Sequence, residues 1–311
     1  MTYLKVITDS YTSYAHYLWN EITNPSWHNY FYWLIALSIA AMTLEWLFPW
    51  RTQQAKIRKD FWLDAFYMFF NFFLFSLIAY NAISDVFVKL FNDLLKGIGI
   101  ENLVAIEISK WPFWTQLALM FVLRDFIQWN VHRMLHYFPF LWQFHKVHHS
   151  AEVLTPMTVY RMHPIDDIFA IAVTSVFTGL ADGTFRFFFT PQITTIMVYN
   201  VNIFIFVFYI FAYHIRHSHI WFSYGPYLSY ILISPAQHQI HHSKSSRHWD
   251  KNYGFIFSFW DWMFQSLYVP RGRETIEFGI GNGEEREFSS VLRLYFVPFM
   301  KAWRILRGKD S

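Results

Sequence analysis

Apolar residues run through this chain in long blocks separated by short polar stretches. The first block, YFYWLIALSIAAMTLEWLFPW over 30–50, spans roughly 30 Å of hydrocarbon as a helix and carries aromatic residues at both ends. Its one acid, Glu45, lies near an end, within reach of the interface. A basic connector, RTQQAKIRKD, leads to a second block, FWLDAFYMFFNFFLFSLIAYNAI, over 61–83. Arg51, Lys56, Arg58 and Lys59 put that connector on the cytoplasmic side and the N-terminus outside. Residues 84–110 mix apolar and charged positions and include Gly97 and Gly99, which predicts an amphipathic interfacial helix and a loop. Pro112 opens a third helix, PFWTQLALMFVLRDFIQWNVHRMLHYF, a favourable place for proline. Residues 138–164 are polar and rich in histidine. The apolar stretches 165–184 and 187–213 predict a helical hairpin that leaves the cytoplasmic face and returns. The tail from 271 is basic near its end, through Lys301, Arg304, Arg307 and Lys309.

Composition agrees with this pattern. Of 311 residues, 54% are hydrophobic, 23% aromatic and only 15% charged, against about 25% charged in soluble domains. The pattern predicts an all-α, multi-pass transmembrane bundle with a cytosolic histidine-rich cap, one integral membrane domain over 1–311. Within it, 30–110 holds the N-terminal transmembrane and interfacial helices, and 281–311 is a cytosolic tail. No cysteine occurs, which excludes disulfides, iron–sulfur clusters and thiolate zinc sites. The opening residues lack the basic, apolar and small-residue order of a signal peptide. A net charge of +3, with the basic residues beside the apolar runs, forms no nucleic-acid stripe.

The polar stretches then change the picture. HRMLH supplies His132 and His136, HKVHH supplies His145, His148 and His149, and HQIHH supplies His238, His241 and His242. On a helix, offsets of 0, 3 and 4 fall within about 100° of one face. Each triplet therefore aims three imidazoles at one point, and the topology puts all eight on one side of the bilayer. Imidazole suits iron, zinc, copper and nickel. Eight histidines exceed the four ligands of a typical zinc ion and suffice for two metals. YHIRHSH and RMHPID add His214, His217, His219 and His163 as further candidates. His16, His28 and His248 stand alone and read as interfacial or simply hydrogen-bonded. Asp125 lies two turns before His132 on the same face, where it accepts a ligand's N–H or pairs with a cation such as Arg124. Asp166, Asp250 and Asp261 carry the same alternatives. No HExxH occurs, so a zinc-hydrolase reading has no support. Transporters place ionisable ligands near the bilayer midplane on broken helices, unlike the helix ends used here. A dinuclear, nitrogen-rich iron site that activates O2 at the membrane surface fits best, with a lipid held in the apolar body. GIGNG at 279–283 lacks both full nucleotide-loop spacing and a surrounding βαβ unit, and reads as a surface turn.

The order HxxxH, HxxHH, HxxHH resembles the fatty acid hydroxylase/sterol desaturase superfamily of membrane di-iron oxygenases. The resemblance extends to RDFIQWNVHRMLH, LWQFHKVHHS, RMHPID, the stretch from HSHIWF to HQIHHS, and DKNYGFIFSFWDWMFQSLYVP, and covers residues 111–280. It implies two iron ions, O2 as co-substrate, and electrons from a separate donor protein, whether cytochrome b5-like, ferredoxin or reductase. It implies that the eight box histidines are ligands and adds His217, which matches the histidine of an intermediate motif. His219 stands where that motif often has asparagine, so its role stays open. His163, His214 and Asp125 remain ligand or supporting candidates. The implied activity is hydroxylation, or desaturation, of a lipid C–H bond such as that of a fatty acyl chain or sterol. Ether-lipid cleavage is the alternative among enzymes, and metal binding or transport the alternative outside them.

Overall fold

The computed structural model describes residues 2–26, 30–49, 55, 57–76, 85–86, 89–90, 93–99, 111–174, 197–198, 201–202, 207–208 and 212–308. Among these residues it is predominantly helical. Helix α1 spans Tyr3–Thr23 and α2 spans Tyr30–Leu47. Helix α3, Phe61–Phe66, runs on into a π-helical stretch, Tyr67–Ser76. Helix α4 covers Phe113–Tyr137 behind Pro112, as the position of that proline predicts. At Phe138 the backbone turns extended, φ −89° and ψ 115°, and Pro139 at the first position starts α5, Pro139–His149. Helix α6 is Pro235–His241, α7 is Phe259–Met263 and α8 is Val291–Leu306. No described helix is long and apolar enough to cross a membrane.

Several sequence expectations lie beyond the described residues, and others fall differently. Residues 77–84, 100–110 and 175–196 lie outside the described residues, so much of the second block, the interfacial segment and the hairpin do too. Of 84–110, a helical turn at 93–97 ends at Gly99, φ +78°. Within the expected second arm of the hairpin, Met197–Val198 pairs antiparallel with Val201–Asn202. Glu45 does not reach outward. It is buried, pairs with Arg58 and accepts the backbone N–H of His219. A carboxylate at the end of α2 thereby ties this helix to the histidine segment that follows residue 213.

Packing holds the histidine helices in place. Tyr67, Val147, Phe288, Leu294 and Val297 form one buried cluster that joins the π-helical stretch, α5 and α8. Burying a side chain such as Leu294 contributes about 1.5–3 kcal/mol. Val131, Leu135 and Leu141 close the corner between α4 and α5. The start of α6 is fixed by a reciprocal cap. Ser234 accepts from the backbone N–H of Gln237, and the Gln237 side chain accepts from the backbone N–H of Ser234. That cap sets the direction in which His238, His241 and His242 leave the helix.

Candidate metal centre

The structure gathers nine histidines into two groups. His132, His136, His145, His149 and His241 form one, and His148, His217, His238 and His242 form the other. Within each group the ligand atoms lie within 4.8 Å of one another, a spread suited to nitrogens about 2 Å from a common centre. The groups adjoin: His149 stacks on His242 with ring centroids 4.4 Å apart, and the His148 and His149 rings are 5.7 Å apart. Each triplet is therefore divided. His145 and His149 face one centre while His148 faces the other, and His241 is separated from His238 and His242 in the same way.

Ring orientation is set from behind. His132 Nδ1 lies 2.8 Å from the Tyr253 carbonyl oxygen, His241 Nδ1 2.8 Å from that of Lys251, and His148 Nδ1 3.3 Å from that of Arg161. His145 Nδ1 lies 3.2 Å from an Asp166 carboxylate oxygen. A carbonyl only accepts, so the three carbonyl contacts put the ring proton on Nδ1 of His132, His148 and His241 and leave Nε2 as a lone-pair donor aimed inward. In the five-membered group, Nε2 of His136, His145, His149 and His241 is buried with no hydrogen-bond partner. In the four-membered group, His217 Nε2 sits 3.0–3.3 Å from the Nε2 atoms of His148, His238 and His242, and those of His238 and His242 are 3.2 Å apart.

Burial also controls charge. Desolvation holds His145 down to about 3. It pushes His148, His149, His217, His238, His241 and His242 well below the usual imidazole range, and repulsion from neighbouring rings adds to the effect. The rings are thus neutral at ordinary pH, the form that donates to a metal. Buried nitrogens stripped of water and without partners cost free energy unless a cation occupies the space between them. The donor set fits a transition metal.

The remaining candidates lie elsewhere. The two nitrogens of His163 meet the Tyr295 carbonyl oxygen at 3.1 Å and the Ile165 N–H at 3.1 Å. His214 Nε2 contacts Ser38 Oγ at 3.1 Å and Tyr160 Oη at 2.7 Å. His219 is buried beside Glu45, in neither group. Asp125 does not meet a ligand ring. Its oxygens accept from the backbone N–H of Ile256 and Phe257 and from Trp260 Nε1, at 2.8, 3.1 and 3.0 Å. Asp261 accepts from the N–H groups of Tyr253 and Gly254, which fixes the carbonyl that braces His132. Among the acids weighed, Asp166 touches a clustered ring. His248 is hydrogen-bonded to Arg247, His16 is exposed, and His28 lies outside the described residues.

A cavity of about 350 Å³ reaches both groups, since His132 and His145 of one and His148, His217 and His238 of the other line it. Val131, Leu135, Val159 and Phe255 supply apolar wall, and Arg216 is its cation. Arg216 stands out in the sequence only as a charge inside HIRHSH, next to His217.

Two adjoining, largely buried, all-imidazole groups open to a largely apolar cavity fit a metal centre serving an apolar substrate. The chain resembles the fatty acid hydroxylase superfamily. The Fatty acid hydroxylase family profile matches residues 117–266, which contain all nine clustered histidines. The chain is similar to an alkylglycerol monooxygenase of Caenorhabditis elegans, 29% identical over 62% of this chain and 34% of that protein. It is similar to the ornithine lipid hydroxylase OlsE of Rhizobium tropici, 28% identical over 63% of this chain and 54% of that one. It is also similar to the methylsterol monooxygenase erg25B of Aspergillus fumigatus, 23% identical over 63% and 62%. The chain thus spans about a third of the first of these relatives and about half of the second. No solved structure matches it.

Proposed function

We propose that the chain is a membrane di-iron oxygenase that inserts one oxygen atom of O2 into a lipid C–H bond. The observation that carries this reading is the division of nine neutral imidazoles into two adjoining groups that border one largely apolar cavity. His132, His136, His145, His149 and His241 would hold one iron, and His148, His217, His238 and His242 the other. When bound, the metals supply the reduction of O2. The overall change is a C–H bond, O2, two electrons and two protons giving an alcohol and water. A separate electron-donor protein supplies the electrons. The chain's own residues keep nine rings neutral and aimed, and the apolar walls exclude water and align a hydrocarbon chain. The apolar blocks and the basic connector support a bilayer location with the centre on the cytoplasmic side.

A second reading has its own support: four of the similar proteins are alkylglycerol monooxygenases. Hydroxylation beside an ether oxygen gives a hemiacetal, which breaks down to an aldehyde and an alcohol. Loss of a second hydrogen in place of hydroxylation gives an alkene. Full-length protein in detergent, loaded with iron and supplied with reductant and cell lipids under labelled O2, tests all three. The oxygenase reading expects about two irons per chain, and label in lipid product that His148→Ala abolishes. Label in an aldehyde released together with an alcohol selects ether cleavage. A protein that holds a single zinc, turns over no O2 and moves metal across liposomes is a transporter.

A further inference from the structure

The cavity is not uniformly apolar. Arg216 and Gln128 line it together with five of the clustered histidines. Arg216 precedes His217, and Gln128 lies four residues, about one helical turn, before His132 on the same face of α4. Arg216 is 3% exposed. Its guanidinium is held in an aromatic cage, with Cζ 4.6 Å from the Phe208 ring centroid and 5.0 Å from that of Phe255. Nη2 donates to the Phe255 carbonyl oxygen at 2.6 Å. A guanidinium stays charged at any working pH and cannot escape burial by losing its proton. Held by its cage, it is a rigid cation in a lipid-sized space. Carboxylates come from a different segment, Asp166 and Asp167, and Asp166 is bonded to His145. A wall that carries both donors and acceptors suits a group that both accepts and donates hydrogen bonds.

We propose that Arg216 and Gln128 bind the neutral, hydroxyl- and ether- or ester-bearing head of a lipid, so that the carbon presented to the histidine groups lies a few bonds from that head. The tail then fills the apolar part of the cavity beside Val131, Leu135 and Val159. An unfunctionalised hydrocarbon gains no hydrogen bond from the guanidinium or from the Gln128 amide. A fatty acid anion would bring a second negative charge into a cavity that Asp166 and Asp167 already line. For the position of the reacting carbon this rests on the oxygenase reading; for recognition of the head it does not.

The test measures binding as well as turnover. Full-length wild type, Gln128→Leu, Arg216→Lys and Arg216→Met are compared in detergent for binding of 1-O-hexadecylglycerol, hexadecanoic acid and hexadecane by competition with one labelled lipid. Wild type is expected to prefer the glycerol ether to hexadecane by about tenfold or more, the scale of one lost charge-assisted hydrogen bond. Gln128→Leu and Arg216→Met are expected to lose most of that preference while hexadecane binding stays within about threefold. Arg216→Lys is expected to fall between, because it keeps the charge and loses the fork. If Arg216→Met fails to fold, the wild-type ranking and Gln128→Leu still decide. Equal binding of ether and hexadecane by wild type, tighter binding of the acid, or an unchanged preference in Gln128→Leu overturns the proposal. Oxygen incorporation read in the same samples separates the two ideas. Label in product without head preference removes the recognition site alone, and head preference without O2 use removes the oxygenase reading alone.

Discussion

The Nδ1 atom of His148 lies 3.3 Å from the carbonyl oxygen of Arg161. The side chain of Arg161 is itself locked, with Nε 2.5 Å from Asp64 Oδ1 and Nη1 3.4 Å from Asp60 Oδ2. Asp64 also accepts from Thr158 Oγ1 at 2.7 Å. Asp64 is on α3, outside the residues matched by the family profile. A helix from the less recognisable part of the chain thereby sets the loop that braces one histidine of the four-membered group.

Replacing Asp64 tests that link. Asp64→Asn removes the charge opposite a buried guanidinium, which destabilises by about 3–5 kcal/mol. It should also loosen the Arg161 carbonyl and weaken metal binding in the four-histidine group by about 10–100-fold. Chemical denaturation in detergent reads the first effect, and metal titration of folded protein reads the second. The apolar pair Asp64→Leu with Arg161→Met should recover stability without recovering metal affinity. Recovery of both would mean that the network carries no positioning role.

Asp166 makes a separable prediction. Its carboxylate braces His145, a member of the five-histidine group. Asp166→Asn keeps an acceptor oxygen and should keep metal at both groups. Asp166→Ala removes it and should cost about 10–100-fold in metal affinity at the five-histidine group alone. Metal content measured against a competing chelator should then fall in two steps, the first at that group. A single step shared by both variants counts against the assignment.

The histidines themselves were legible because offsets of three and four are a helical code that does not depend on tertiary contact. Their division was not. His145 and His148 lie three residues apart yet face different groups, and neighbouring chain segments decide which. Asp125 shows the limit of the same code. A spacing of seven puts it on the face of His132 but about 10 Å further along the axis, at 1.5 Å per residue, where the loop at 256–260 claims its oxygens. Asp166 reaches His145 across 21 positions, a contact that no local period encodes. Glu45 reads as an interfacial acid from hydropathy alone, because Arg58 folds back on it from the connector and the N–H of His219 comes from distant chain.

Gly254 should tolerate no side chain. A Cβ there would sit 2.7 Å from the Phe257 carbonyl oxygen and 3.1 Å from Asp261 Oδ2. Asp261 fixes the N–H groups of Tyr253 and Gly254, and the Tyr253 carbonyl braces His132. Gly254→Ala should cost about 1–3 kcal/mol through overpacking and alter the electronic spectrum of metal bound at the five-histidine group. Loss of stability with an unchanged spectrum would confine the effect to packing.

His163 gives the pH dependence. Burial depresses it to about 4, partly offset by its bond to the Tyr295 carbonyl. The neutral ring donates from Nε2 to that carbonyl and accepts the Ile165 N–H at Nδ1. Protonation would place a proton on Nδ1 against the Ile165 N–H. In the unfolded chain the same ring titrates near about 6.5. Below that pH the unfolded state takes up a proton that the native state refuses, so stability falls as pH drops. The loss begins near the unfolded value, is complete near about 4, and amounts to about 3 kcal/mol from this residue. A glutamine in place of the ring would keep a side-chain donor and acceptor without a titrating group. The variant His163→Gln should therefore give a shallower decline of Tm between about pH 6.5 and 4 than wild type, about 3 kcal/mol less across the window. The comparison is made on metal-free protein, so that proton competition with metal at the nine clustered histidines adds nothing. Parallel Tm profiles for the two proteins would show that His163 is not the group whose protonation weakens the fold in acid.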